Sequence, residues 1–176
     1  SAPGQPKNEF SLRLFPVPIF RPVLCAAMNG RVVLANWLMS TANHAYEGDT
    51  LLLPQPVTAV VEEGKIAAFE GPGGLVQKVR EHYERVADLF EIETDVVHSW
   101  HAGTHPQAFY PLAAVSDVNR WGSVAFANPR YAHFHTCGNY APGEIAWSVF
   151  DATIELDGRE YWGGGHFRFL ERPDVL

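Results

Sequence analysis

Short apolar and β-branched runs, punctuated by glycine and proline, occupy most of this chain, and one stretch carries apolar residues at helical spacing. Arg31-Val-Val-Leu-Ala is a strand candidate, and Thr50-Leu-Leu-Leu, Val57 to Val61 and Lys65 to Phe69 are three more. Glu62-Glu-Gly64 makes a tight hairpin between the last two. After Gly71-Pro-Gly-Gly the period changes. Leu75, Val79, Val86 and Phe90 fall on one helical face with Tyr83 alongside, while Lys78, Arg85 and Asp88 take the other. Leu75 to Phe90 is therefore expected to form one long amphipathic helix, supported by a Glu81–Arg85 pair at i,i+4. Strand-like sequence returns from Trp147 to Leu156. Asp157-Gly158 then signals a two-residue hairpin, and Tyr161-Trp162 leads to His166-Phe-Arg-Phe-Leu.

One long helix and about seven short strands predict an α+β fold with a mainly antiparallel β-sheet. Residues 1–22 hold Pro16, Pro18 and Pro22 among apolar residues and read as an extended proline-rich arm. Residues 23–176 are expected to form a single domain, since 176 residues suit one core. Thirteen prolines and fifteen glycines imply many turns, which disfavours a helical bundle.

Composition narrows the partners. A net charge of −7 leaves no basic stripe to neutralise phosphates, so no nucleic-acid partner is expected. No apolar run is long enough to span a bilayer and no signal peptide opens the chain, so no membrane partner is expected and cytoplasmic residence is the default. Cys25 and Cys137 are too few for a disulfide scaffold and do not resemble a zinc ribbon.

The chemistry is concentrated in histidine. Five of the eight histidines fall within 38 residues, as His98-Ser-Trp-His101-Ala-Gly-Thr-His105 and His133-Phe-His135. Neutral imidazole is the commonest protein metal ligand. Asp95-Val-Val reads as a strand end, which puts His98 to His105 on a following loop. On a strand His133 and His135 would point to the same face. Glu144, nine residues after His135, could bring a carboxylate from a nearby loop. Two histidines and one carboxylate suit non-haem Fe(II) with open positions, and the same set could hold Zn with an activated water. A cupin motif also begins His-x-His, but its carboxylate follows within a few residues and Glu144 is too distant. Cys137 beside the pair is a candidate thiolate. Tyr140 and Tyr110 are candidates to donate a proton or orient a substrate, and the tryptophans supply aromatic surface for a flat ligand. His82 falls within the helix and His44 and His166 have no partner in sequence, so all three are read as ordinary structural histidines.

Gly103-Thr-His-Pro, His133-Phe-His-Thr-Cys-Gly-Asn and Ala152-Thr-Ile-Glu-Leu-Asp-Gly together resemble the catalytic half of the aminopeptidase T superfamily, which includes enzymes of the 2,5-dihydroxypyridine dioxygenase type. The likeness spans roughly residues 30–170. It implies that a family Glu falls near His98, a family His on His133 or His135, and a family His-x-Asp near Glu144. This chain holds no His-x-Asp, and histidine stands where the family's acidic ligands are expected. A two-metal peptidase needs bridging carboxylates to balance two dications, so the resemblance implies the dioxygenase branch.

The expected function is thus a mononuclear metal-dependent oxygenase using Fe(II), or alternatively Zn, on a small aromatic or heteroaromatic substrate. His105, His133, His135 and Glu144 are the candidate metal ligands. His98, His101 and Tyr140 are the candidate catalytic groups. A Zn-dependent hydrolase or lyase is the alternative enzyme, and a non-catalytic subunit completing a partner's site is the alternative outside enzymes. Association as a homo-oligomer or with a partner subunit is expected in either case.

Overall fold

The computed structural model describes residue 19 and residues 21–40, 46–108, 116–139 and 142–168. The proline-rich arm lies outside these residues except for Ile19, Arg21 and Pro22, and so do Tyr110 and Tyr140. Ten strands and two helices follow in the order β1 (Val23–Leu24), β2 (Gly30–Met39), β3 (Thr50–Glu62), β4 (Lys65–Glu70), α1 (Gly73–Phe90), β5 (Val97–Ala102), α2 (Val118–Ala125), β6 (Tyr131–Cys137), β7 (Glu144–Phe150), β8 (Ile154–Leu156), β9 (Arg159–Gly163) and β10 (His166–Phe167). Seven strands form one sheet, ordered β1-β5-β6-β7-β2-β3-β4, and β10-β9-β8 form a second, small sheet. Every strand pairing among the described residues is antiparallel, consistent with the expected α+β class.

Two expected strands merge. Thr50 to Leu53 and Val57 to Val61 are parts of one strand, β3, which carries Pro54 and Pro56 through its middle. Proline cannot donate to a ladder and survives within sheets at bulges and edges. The register against β2 shifts here, from Leu34↔Val57 to Asn36↔Leu53, and Asn36 adopts φ 69°. The hairpins are as the dipeptides predict: Glu63 and Gly64, and Asp157 and Gly158, all have positive φ, the requirement of a two-residue turn of the primed type. Gly64 has a second reason to lack a side chain, since a Cβ there would lie 2.5 Å from the Cys25 carbonyl oxygen. The expected run Trp147 to Leu156 is instead broken at Asp151, φ 48°, where the chain leaves the large sheet for the small one.

Helix α1 packs on one face of the large sheet, against β3, β4, β6 and β7. It buries Val79, His82, Tyr83, Val86 and Ala87 over Leu34, Leu38, Val57, Phe134 and Trp147. Glu91 ends it in the left-handed conformation, with its N–H returned to the Ala87 carbonyl. His82 turns inward rather than to solvent. Its Nδ1 accepts from Arg85, 3.2 Å away, and Arg85 also donates to the carbonyls of Glu47 and Gly48, tying that turn to the helix. Burial, then the Arg85 charge, push the His82 pKa down to about 4.

A polar chain threads the apolar core between α1 and the sheet. The Trp147 indole N–H donates to Tyr83 Oη at 2.5 Å, Tyr83 Oη lies 2.5 Å from Thr136 Oγ1, and Thr136 donates to the Ile145 carbonyl at 2.7 Å. An indole only donates and a carbonyl only accepts, so the ends fix the sense: Tyr83 gives its proton to Thr136. Burial pushes the Tyr83 hydroxyl pKa up, so it remains a phenol.

Tyr83→Phe removes the middle of this chain and leaves the Trp147 N–H without its acceptor in the core. The expected loss is about 1–3 kcal/mol of unfolding free energy, read as a lower denaturation midpoint in urea. An unchanged midpoint would show that the chain contributes nothing.

Candidate metal centre

The opposite face of the same strands carries the histidines. On β6 the residues alternate: Ala132, Phe134 and Thr136 belong to the α1 side, and Tyr131, His133 and His135 to the other. Strand β5 adds to both faces through its register on β6, with Trp100 opposite Phe134, His101 opposite His133 and Ser99 opposite His135. Strand β7 does the same from the other flank, setting Ser148 opposite His133 and Ala146 opposite His135.

His98 and His101 therefore lie on a strand, not on the expected loop. The reason is tertiary. Val97, Trp100 and Ala102 are buried on the core side, and β5 is clamped between β1 and β6. The chain leaves the strand only at Gly103, where a Cβ would sit 1.9 Å from the Ala127 carbonyl carbon. The segment linking α2 to β6 thus packs directly on the β5 backbone.

His101, His133 and His135 come together, with one ligand nitrogen from each ring all within 4.8 Å of one another. His101 Nε2 and His135 Nε2 are 2.8 Å apart, and the His101 and His133 ring centroids 4.0 Å apart. His101 and His133 are each only 5% exposed. Burial lowers the His133 pKa well below its ordinary value, with His101 and His135 adding to the effect. Burial, then the neighbouring His101 and His98, bring His135 down to about 4. His133 and His135 are thus neutral at pH 7, the state a ligand needs. Two nitrogens bound to one ion at the usual bond lengths sit roughly 3 Å apart, close to the His101–His135 spacing. The buried His133 Nδ1 has no hydrogen-bond partner among the described residues. The donor set fits one divalent transition metal.

The other expected site residues are placed differently. Glu144 is 1% exposed and begins β7, not a loop. Its Oε1 meets His135 Nδ1, on the far side of the ring from His101. His105 lies outside the three-histidine group, its Nδ1 accepting from the Gln107 N–H at 3.3 Å. His98 is half-buried and its Nε2–H donates to the Cys137 carbonyl, 2.9 Å away. Burial pushes the Cys137 thiol up to about 11, so it is neither a thiolate nor a nucleophile at neutral pH.

Sequence reasoning offers tryptophans as aromatic surface, and Trp121 does line a cleft, but it missed Tyr131 and Phe150. Tyr131 is buried 5.6 Å from the His133 ring, with its hydroxyl 2.8 Å from Ser148 Oγ. On its other side it stacks on Phe150, with centroids 4.9 Å apart and planes 5° from parallel. A cleft of about 300 Å³ opens there, lined by Trp121, Tyr131, Phe150, Ala125 and Asn128, with Arg130 and Asp151 at its edge. Arg130 and Asp151 form a bidentate ion pair, the second bond at 2.7 Å. Tyr131 is thus a wall shared by the cleft and the histidines. The period-two spacing of Glu144, Ala146 and Ser148 was a legible signal for one side of this face. Trp121 counts among the aromatic candidates in sequence, but the helix that carries it onto Trp37, α2, has no signal that points to it.

The fold resembles that of 2,5-dihydroxypyridine dioxygenase from Pseudomonas putida KT2440, at a TM-score of 0.56 and 17% sequence identity. The match covers 81% of this chain and 40% of that one, so this chain spans well under half of that protein's length. At that identity the likeness shows a shared fold, and it bears on the dioxygenase side of the resemblance read from sequence, not on aminopeptidase T. No protein-family model matches the chain, and no curated protein does.

His82, His133 and His135 all have folded values below the ordinary histidine value of 6.5. The unfolded chain therefore takes up protons first. Stability is full above about pH 6.5 and falls as the pH drops toward 4, by about 1.4 kcal/mol per pH unit for each group. Unfolding of the metal-free protein followed from pH 8 to 4 should show this slope, and His82→Gln should remove one group's share. A flat profile would show that these rings are not buried in neutral form.

Proposed function

We propose that this chain is a mononuclear metal-dependent oxygenase acting on a small aromatic or heteroaromatic compound, with the ion held by His101, His133 and His135. The observation that carries the reading is the convergence of three buried imidazoles on one point of a sheet face. The dioxygenase-like fold and the adjoining aromatic cleft support it. Divalent iron in this donor set would supply Lewis acidity and one-electron chemistry with O₂, with coordination positions to spare.

The chain's own residues do the rest. The cleft walls Trp121, Tyr131 and Phe150 hold a flat ring by apolar contact, at a volume suited to a small molecule. His98, its Nε2–H committed to the Cys137 carbonyl, offers Nδ1 to take a proton from an acidic group of the substrate. Tyr140 is assigned the complementary role of proton donor. His105 has no role in this reading, and Glu144 acts outside the ligand set.

A second reading is favoured by one feature. Three histidines without a carboxylate form the donor set of zinc sites that activate water, which would make the chain a hydrolase or lyase. Oxygen uptake separates the two, because only the oxygenase consumes O₂ during turnover.

Elemental analysis of protein made without a histidine tag should find close to one transition-metal ion per chain, and His133→Ala should lose it while remaining folded. With iron loaded, a panel of dihydroxylated aromatic and heteroaromatic rings should include one that drives O₂ uptake. Absence of any transition metal at near-stoichiometric level would sink both readings. Metal without O₂ uptake, accompanied by hydrolysis, would favour zinc.

A further inference from the structure

Glu144 is a buried carboxylate that the sequence marks as a ligand, yet its contacts give it a different position. On β7 it lies two residues before Ala146, which is opposite His135, so Glu144 is a diagonal neighbour of His135 on the same sheet face. Its Oε1 meets His135 Nδ1. The other nitrogen of that ring, Nε2, lies 2.8 Å from His101 Nε2. The imidazole therefore stands between the carboxylate and the remaining histidines. A ring nitrogen ligates a metal only through its lone pair, and donates to a carboxylate only when it carries a proton. One tautomer of His135 meets both demands, with Nδ1–H toward Glu144 and the Nε2 lone pair toward His101.

We propose that Glu144 is a positioning residue of this centre, acting through His135. It fixes the Nδ1–H tautomer, aims the Nε2 lone pair at the ion, and offsets the ion's charge from one ring away without binding it. The ligand part rests on the metal reading above, whereas the tautomer does not depend on it. In the metal-free centre the carboxylate holds the lone pair in place before any ion arrives.

Two measurements on the full chain test this, using Glu144→Leu, an apolar side chain of similar size, and Glu144→Gln, which keeps an acceptor but not the charge. Long-range ¹⁵N–¹H correlation spectra of the metal-free protein should show His135 protonated at Nδ1 in the wild type and shifted toward the Nε2–H form in Glu144→Leu. Co²⁺ titration should show about 10–100-fold weaker binding in Glu144→Leu, a smaller loss in Glu144→Gln, and an unchanged shape of the Co²⁺ visible bands in both. A changed band shape, or binding abolished as in His101→Ala, would make Glu144 a ligand and overturn the proposal. Unaltered tautomer and affinity in Glu144→Leu would overturn it equally. If the wild type binds no Co²⁺ the metal reading fails, and the ligand-positioning role with it, while the tautomer spectra still decide whether Glu144 orients His135.

Discussion

The antiparallel register between β5 and β6 is the constraint on which the rest of the molecule depends. It sets His101 opposite His133 and, one residue away, Trp100 opposite Phe134. Side chains alternate across a strand, so one pairing places two rings of the candidate metal centre on one face and two large aromatics on the other. A one-residue slip of β5 against β6 would turn His101 into the apolar core and Trp100 onto the histidine face. Packing those aromatics on each other, on Trp147 and on Trp162 of β9 therefore holds the histidines in place.

The two faces handle buried polarity in different ways. On the core side the Trp147–Tyr83–Thr136–Ile145 chain satisfies each of its own polar atoms in turn, although His82 Nε2 and Tyr46 Oη nearby have no hydrogen-bond partner among the described residues. On the other side, the imidazoles crowd together with depressed pKa values and with the His133 Nδ1 left without a hydrogen-bond partner among the described residues. A fold built for stability alone gains nothing from gathering neutral rings whose protonation it suppresses. The contrast within one strand, Thr136 on the satisfied side and His135 on the crowded side, separates structural polarity from chemical polarity.

Much of the local structure was legible because it follows from neighbours in sequence. Asp157-Gly158 and Glu63-Gly64 turn where their positive φ allows, and His133 and His135 share a face because two residues separate them on a strand. The loop expectation holds for His105 but not for His98 and His101, because Gly103 and Pro106 dominate that segment's local preference while the partners of β5 are strands far along the chain. Residue type and distance along the chain mark Glu144 as a candidate ligand. Neither of these shows on which side of the His135 ring the carboxylate would lie.

The sequence by itself determined the inventory: a mainly antiparallel α+β chain with a helix after Gly71-Pro-Gly-Gly, and a set of histidines too concentrated to be incidental. Only the tertiary structure decided which of them meet. His101 joins the centre and His105 stays outside it, although four residues separate them and both are histidines. The difference lies in the cross-strand register and in the close approach of Gly103 to Ala127 that ends the strand between them. Those are contacts between segments more than twenty residues apart, and no local pattern encodes them.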